Sequence, residues 1–111
     1  MRVIIGLIIL ILTVSVAGAL AEGKGDAKAG KTLYDGKCKV CHGAKGEGNA
    51  TLAKTLKVTI RDLASKEVQS KSDADLKKDT TGGIGKMQPA KGLSDKDVED
   101  MLAFVRSLAK P

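Results

Sequence analysis

The chain is organised around Cys38-Lys39-Val40-Cys41-His42, a C-x-x-C-H run. This run is the attachment signature of a c-type haem. Residues three and four apart share one face of a helix, so both thiols and the imidazole point the same way. Two thiols so placed can form thioethers with the vinyl groups on one edge of a porphyrin, and the imidazole can ligate its iron. We therefore expect one covalently bound haem c, attached through Cys38 and Cys41 and ligated by His42.

The motif contains the only two cysteines and the only histidine of the 111-residue sequence, and four other interpretations compete. The thiols could form a simple disulfide, and the run could arise by chance. A thioredoxin-like couple requires a strand before the motif and a βαβ pattern around it, which the sequence does not show. A zinc site requires four ligands, whereas the motif supplies three. Haem attachment is favoured because the complete motif ends a helical pattern.

Residues 1–21 have the features of a secretory signal peptide. Met1-Arg2 is a short positive region, an apolar stretch follows, and Ala19-Leu20-Ala21 is typical of a cleavage site. The alternative is an uncleaved membrane anchor, because residues 3–21 carry no charge and are just long enough to span a bilayer. We expect cleavage, which leaves one domain of residues 22–111 in the periplasm.

The composition of this domain excludes nucleic acid as a partner. The full chain has 19 basic and 13 acidic side chains, and removal of Arg2 with the signal peptide leaves a net charge of +5. Nucleic-acid binding requires a basic cluster interleaved with stacking aromatic rings. The lysines here are dispersed, and Tyr34 and Phe104 are the only aromatic residues. A mildly basic surface instead favours docking to acidic protein surfaces, with membrane contact only if the anchor is retained.

The pattern of caps and apolar residues predicts an all-α fold. Three helices are expected, at residues 26–42 with Asp26 as N-cap, at 73–81 after Ser72, and from Ser94, with Asp97 three residues on, to near the end of the chain. Ser65 can cap a short turn that runs to Gln69. Val58-Thr59-Ile60 is extended in character but too short and isolated to build a sheet. The long connections count against a plain helical bundle and fit a chain that passes around a cofactor.

Two of these connections are expected to contribute to the haem site. Gly43 to Ala50 is a glycine-rich loop without the P-loop pattern, and we interpret it as a turn beneath the histidine. One of its carbonyls is expected to accept the Nδ1 proton of His42 and so to fix the ring. Residues 52–63 contain apolar side chains that can line a pocket.

A six-coordinate haem needs a second axial ligand, and Met87 and Met101 are the remaining soft donors of the domain. Met101 lies on the apolar stripe of the last helix, so we expect it in the core. Met87 lies in a loop between Gly85, which is flexible, and Pro89, which is rigid. A loop with this pair of residues can bring the backbone close to a cofactor. A loop methionine is often only a hydrophobic contact. As the remaining soft donor, Met87 is expected to ligate the iron opposite His42.

Residues 26–110 resemble the class I cytochrome c family, in particular small bacterial periplasmic monohaem cytochromes. The residues that carry the resemblance are Gly30, Tyr34, the motif at 38–42, Met87, Pro89 and the run 101–106. The resemblance implies a fold in which the N- and C-terminal helices cross nearly at right angles around one haem. It also implies that Gly30 and Tyr34 meet Met101 and Phe104 at this crossing.

Three positions depart from the family pattern or have an open role. Gln88 separates Met87 from Pro89, where many members have Met-Pro directly. The loop after His42 lacks a proline that is often found there. The resemblance also implies a role for Arg61 near a haem propionate, with a surface ion pair as the simpler alternative.

The expected function is one-electron transfer between redox proteins by a monomer, with no substrate transformed. One alternative is an electron-entry subunit that serves a specific oxidoreductase. A second is a ligand-binding or peroxidase-type haem protein with an open sixth position. That alternative requires an acid–base residue above the iron, and the sequence contains no second histidine.

Overall fold

A computed structural model describes residues 25–110 of the chain. These residues form helices and connecting loops, and a single β-bridge among them joins Ile84 and Met87. The six helices are α1 (Ala27–Lys37), α2 (Lys39–His42), α3 (Ala50–Leu56), α4 (Lys66–Gln69), α5 (Asp73–Gly82) and α6 (Asp95–Ser107). The prediction of an all-α fold is confirmed. The predicted signal peptide lies outside the described residues, and no helix within 25–110 is both long and apolar enough to cross a membrane.

Helix α1 begins at the cap that the sequence predicts. The Asp26 carboxylate accepts hydrogen bonds from the main-chain N–H of Lys28 at 2.9 Å and of Ala29 at 3.4 Å. These are donors that the first turn of a helix leaves unpaired. The lysines of α1 are exposed, whereas Gly30 and Tyr34 are buried. The helix is therefore amphipathic in the predicted sense.

The predicted single helix over residues 26–42 is interrupted at Cys38. The N–H of Cys38 donates to the Tyr34 carbonyl at 2.8 Å and so closes α1. The Cys38 carbonyl accepts from the N–H of His42 at 2.9 Å and so opens α2. Between these two bonds the φ angle of Cys38 is −117°, outside the helical range. The motif thus occupies its own short helix, joined to α1 at the first cysteine.

Helices α1 and α6 form the largest helix–helix contact of the described residues. A Cβ atom on Gly30 would lie 1.8 Å from the carbonyl oxygen of Asp100. Only glycine permits so close an approach of the two backbones. One turn further along α1, Tyr34 packs against Met101 and Phe104 of α6. This contact of Gly30 and Tyr34 with α6 is the one that the family resemblance implies.

Helix α6 connects two apolar clusters. Its start is the predicted capping box, in which Ser94 Oγ accepts from the Asp97 N–H and the Asp97 carboxylate accepts from the Ser94 N–H, both at 3.1 Å. The first cluster contains Val68, Leu76, Val98 and Leu102. The second cluster contains Tyr34, Met101 and Phe104. The second cluster therefore lies directly behind the motif, because Tyr34 precedes Cys38 by one helical turn.

Asp100 is a buried carboxylate that the sequence analysis does not identify. It is 3% exposed, and its Oδ1 accepts from the main-chain N–H of Asp26 at 2.8 Å. Its Oδ2 accepts from Lys96 Nζ at 2.7 Å. In sequence, Lys96 and Asp100 look like an ordinary exposed pair one helical turn apart. The burial of Asp100 follows from the close contact of α1 with α6, which no local pattern reveals.

The middle of the chain agrees with prediction except at α3. Ser65 and Ser72 cap α4 and α5 as expected, through the N–H groups of Val68 and Asp75. No helix was predicted at the position of α3. This helix forms because the Asn49 side chain accepts from the Leu52 N–H at 3.0 Å, and asparagine is a preferred helix N-cap.

Arg106 joins α6 to the segment between α4 and α5. Its guanidinium group donates to the carbonyls of Gln69 and Lys71, each at 2.7 Å, and to Asp73 Oδ1 at 2.7 Å. The side chain is 17% exposed. This set of charge-assisted bonds holds the second half of the chain against the C-terminal helix.

Candidate functional site

The two thiols and the imidazole of the motif lie together on α2 and its first cap. Cys38 and Cys41 are free thiols, and both are half-buried. Burial raises the pKa of the Cys38 thiol, so it is protonated at neutral pH. Lys39 and Val40 between them point outward, and Val40 is 69% exposed. The two cysteines are thus half-buried while the two residues between them are exposed.

The glycine-rich loop at residues 43–49 closes the end of α2 by hydrogen bonding. The carbonyls of Cys41 and His42 accept from the main-chain N–H groups of Asn49 and Gly48, at 2.8 and 2.6 Å. The carbonyl of Val40 accepts from Asn49 Nδ2 at 3.2 Å. A helix end leaves its last carbonyls without partners, and this loop supplies them. The motif is therefore rigidly held, although it is only four residues of helix.

Tyr34 connects this loop to the core behind it. Its phenol group donates to the Gly43 carbonyl at 2.6 Å, and the side chain is completely buried. Its ring lies 4.9 Å from that of Phe104, at 54° between the planes. Burial raises the pKa of Tyr34 well above its ordinary value, so the hydroxyl keeps its proton and donates. The position of the residue after His42 is thus tied to the α1–α6 contact.

Close packing on the other side of the loop involves Gly46. This residue is buried, and a Cβ at its position would lie 2.8 Å from the Cβ of Leu63 and 3.1 Å from Leu108. Its carbonyl accepts from the Leu63 N–H at 2.8 Å. The loop that carries the end of the motif therefore packs on the C-terminal part of the chain.

The imidazole of His42 is half-buried beside the two thiols. Its Nδ1 is buried and has no hydrogen-bond partner among residues 25–110. Burial also lowers the pKa of the ring, so the neutral form with a free lone pair is favoured. A buried polar atom without a partner is unusual in a folded protein. Two free thiols beside such a ring fit a covalently attached, histidine-ligated haem.

The sequence predicts that a carbonyl of residues 43–50 accepts the Nδ1 proton of His42. Among residues 25–110 this hydrogen bond is not present. Two carbonyls of this region have other donors, since that of Gly43 accepts from Tyr34 and that of His42 accepts from Gly48. The loop instead fixes the main chain of His42 and leaves the ring nitrogen unpaired.

Met101 has the core position that the sequence predicts. It is 3% exposed and belongs to the cluster around Tyr34 and Phe104. Its sulfur lies 3.9 Å from Cys38 Sγ. Met101 therefore packs behind the first cysteine of the motif.

Met87 lies in a half-buried turn of the segment at residues 83–92. Its main chain forms two bonds with Ile84, N–H to carbonyl in both directions, at 2.9 and 3.2 Å. Gly85 at the tip of this turn has a φ of 57°, which glycine adopts without strain. The rigid turn fits the predicted role of presenting one thioether, and the identity of the second axial ligand stays a prediction.

Several apolar side chains near these elements are incompletely buried. Val58 and Ile60 of the predicted pocket lining are half-buried, and Leu56 and Ile84 are 41% and 45% exposed. Their exposure fits a pocket completed by a large apolar group.

Arg61 forms a surface ion pair. Its Nη1 lies 3.4 Å from Glu67 Oε1, and both side chains are more than half exposed. This is the simpler alternative that the sequence analysis named for Arg61.

Comparisons with known proteins agree with the motif and the fold. A family model described as cytochrome c matches residues 27–109. A protein of Halothiobacillus neapolitanus described as cytochrome c-554(547) is 39% identical over 89 residues, which cover 76% of this chain and 98% of that protein. Among solved structures, the c-type cytochrome KustC0563 has a TM-score of 0.63 at 31% identity, covering 73% of this chain and 98% of its own.

Proposed function

The chain belongs to the cytochrome c family and binds haem c covalently, and from this membership we propose that it is an exported one-electron carrier. In this proposal Cys38 and Cys41 would form the two thioethers, and His42 and Met87 would ligate the iron. The single observation that carries the assignment is the pair of free, half-buried thiols beside an imidazole whose neutral form is favoured by burial, all within one short helix and its cap.

When bound, haem supplies a one-electron couple between its ferric and ferrous states. The protein contributes the ligands, the burial and the rigid surroundings that set the reduction potential. Tyr34 and the loop at residues 43–49 hold the histidine side of the site. The turn at Ile84 and Met87 presents the other side. With both axial positions filled by protein, the site transfers electrons and transforms no substrate.

The charge distribution supports a docking surface for acidic redox partners. Residues 25–57, which include the motif and α3, contain seven lysines against three acidic side chains. Lys39, Lys45, Lys54 and Lys57 are exposed and form no ion pair with another described residue. Exposed Val40 and Leu56 lie in the same segment and offer apolar contact. Charge of this kind chiefly accelerates encounter and orients the partner.

Export and cleavage are part of the same proposal. The signal-peptide features of residues 1–21 support export, so the domain of residues 22–111 would act in the periplasm as a monomer. Mass spectrometry of the native amino terminus tests this directly. A mature chain that begins near residue 22 supports cleavage, and a chain that begins at Met1 in the membrane fraction contradicts it.

The central experiment is a pyridine haemochrome spectrum of the purified and then denatured protein. Haem that remains with the denatured chain, with the band position of a porphyrin whose two vinyl groups are both saturated, supports attachment through Cys38 and Cys41. Loss of all haem on denaturation contradicts it and leaves thiol–disulfide exchange as the better interpretation. Addition of carbon monoxide to the reduced protein then tests the sixth position. Ready binding favours a ligand-binding or peroxidase-type protein over an electron carrier.

The ligand assignment has its own test in two matched variants. Met87→Ala should abolish the weak red absorption band that methionine ligation gives to the ferric protein. Met101→Leu should keep the band, because leucine has a similar volume and the residue packs in the core. Survival of the band in Met87→Ala would refute the assignment.

A further inference from the structure

We propose that Lys37 and Lys86 are positioning residues that hold the Met87 turn against the motif side of the molecule. Lys37 Nζ donates to the main-chain carbonyl of Lys91 at 3.0 Å. Lys86 Nζ donates to the main-chain carbonyl of Leu56 at 2.8 Å. The inference rests on the proposed ligation of the iron by Met87 and deepens it.

Each of these lysines directly precedes a residue of the proposed site. Lys37 precedes Cys38 at the end of α1, and Lys86 precedes Met87. A bond made by such a lysine therefore acts within one residue of a group that would contact the haem. The two bonds together connect the segment at residues 83–92, which contains Met87, to α1 and to α3.

The two lysine bonds hold the segment at residues 83–92 at two different points. Lys86 lies in the turn itself, and Lys91 lies just beyond Pro89. The remaining main-chain bond from the segment to another element joins the Ala90 N–H to the Thr80 carbonyl of α5 at 2.8 Å. Among the hydrogen bonds of residues 25–110, the two lysines thus provide the links from this segment toward α1 and α3.

The carbonyl of Leu56 gives the exposed side chain of Lys86 a defined hydrogen-bond acceptor. Leu56 is the last residue of α3, where helix carbonyls lack main-chain donors. The N–H groups that follow it bond further back, from Lys57 to Lys54 and from Val58 to Ala53. A cation at a helix C-terminus is favoured by both the free carbonyl and the helix dipole. Lys86 therefore caps α3 and restrains the turn with one bond.

Hydrogen exchange of the holoprotein tests the restraint independently of ligation. The relevant amides are those of Ile84, Met87 and Ala90, whose main-chain bonds break when the segment opens. Lys86→Leu should raise exchange at Ile84 and Met87 by about two- to tenfold, the effect of losing one net hydrogen bond. Lys37→Leu should raise exchange at Ala90 by a similar factor, and amides within α6 should be unchanged.

Two further variants separate a specific bond from a change of charge. Lys78→Leu is the matched control, since Lys78 is an exposed lysine of α5 without a hydrogen bond or ion pair to another described residue. Lys86→Arg retains a charged donor and should restore most of the wild-type protection. Exchange in Lys37→Leu and Lys86→Leu that equals that of Lys78→Leu would overturn the proposal.

Imidazole added to the ferric protein would compete with Met87 for the iron. Its binding rate therefore reports how firmly Lys37 and Lys86 restrain the turn. This rate should rise in both variants by the same factor as amide exchange, because both processes require the segment to open. The red absorption band of the wild type is measured separately. Its absence would contradict ligation by Met87, whereas unchanged exchange and imidazole rates in the two lysine variants would contradict the role of the lysines.

Discussion

The hydroxyl of Tyr34 donates a 2.6 Å hydrogen bond to the carbonyl of Gly43, the residue that directly follows His42. Tyr34 is also the side chain of α1 that packs on Phe104 of α6. One residue therefore belongs both to the contact that defines the fold and to the loop that holds the proposed iron ligand. Changes at the α1–α6 contact should consequently be felt at the motif.

Tyr34→Phe should destabilise the holoprotein by about 1 kcal/mol, because the hydrogen bond is lost while the ring remains. The penalty is moderate since the Gly43 carbonyl also accepts from the Gly46 N–H at 3.3 Å. Tyr34→Leu removes the ring contact with Phe104 as well and should destabilise it further. Urea unfolding of the three proteins measures both steps. Equal stability of the wild type and Tyr34→Phe would show that the bond contributes nothing.

Asn49 supports two helices, and two substitutions should separate its contributions. Its Nδ2 donates to the Val40 carbonyl of α2, and its Oδ1 accepts from the Leu52 N–H of α3. Asn49→Ala loses both bonds and should cost about 1–2 kcal/mol, the usual range for removal of an N-cap. Asn49→Ser keeps a side-chain oxygen that can cap α3 and loses the bond to α2, so it should cost less. If the two variants unfold at the same urea concentration, the cap of α3 contributes nothing measurable.

Gly30 and Gly36 lie on the same helix and should respond in opposite directions to alanine. At Gly30 the added Cβ would meet the Asp100 carbonyl at 1.8 Å, so Gly30→Ala should destabilise the protein by about 1–3 kcal/mol or prevent folding. At Gly36 nothing lies within 4 Å of the added atom. Gly36→Ala should therefore stabilise by about 0.4–1 kcal/mol, because the unfolded chain loses freedom. Thermal unfolding of both variants checks the signs, and a stable Gly30→Ala protein would contradict the close helix approach.

The parts of the fold that could be predicted are those with a local cause. Ser94 with Asp97, Ser72 and Asp26 each cap a helix through side-chain bonds to nearby N–H groups, and such caps are visible in sequence. The amphipathic stripe of α6 is local as well. Helix α3 was missed although its cap, Asn49, is also a local signal, because it follows a glycine-rich run that resembles a continuous loop.

The parts that could not be predicted depend on contacts between distant residues. The burial of Asp100 requires α1 to lie against α6. The bond between Asp26 and Asp100 joins residues that are 74 positions apart in sequence. The lysine bonds of Lys37 and Lys86 join residues 54 and 30 positions apart and end on main-chain carbonyls. Every residue has such a carbonyl, so the residue type at the acceptor position carries no signal.

Asp100 should make stability depend on pH in the acid range. Hydrogen bonds from Lys96 and then from the Asp26 N–H lower the pKa of this carboxyl in the folded state. Its stabilisation is therefore fully present above the unfolded pKa of about 3.9 and is lost as the pH falls through the lower folded pKa. Asp100→Asn should lower the urea midpoint at neutral pH, and the difference from wild type should shrink below about pH 4. Asp95→Asn, at an exposed carboxylate of the same helix, is the control. A difference that stays constant down to the lowest pH would assign the effect of Asp100 to packing and not to its charge.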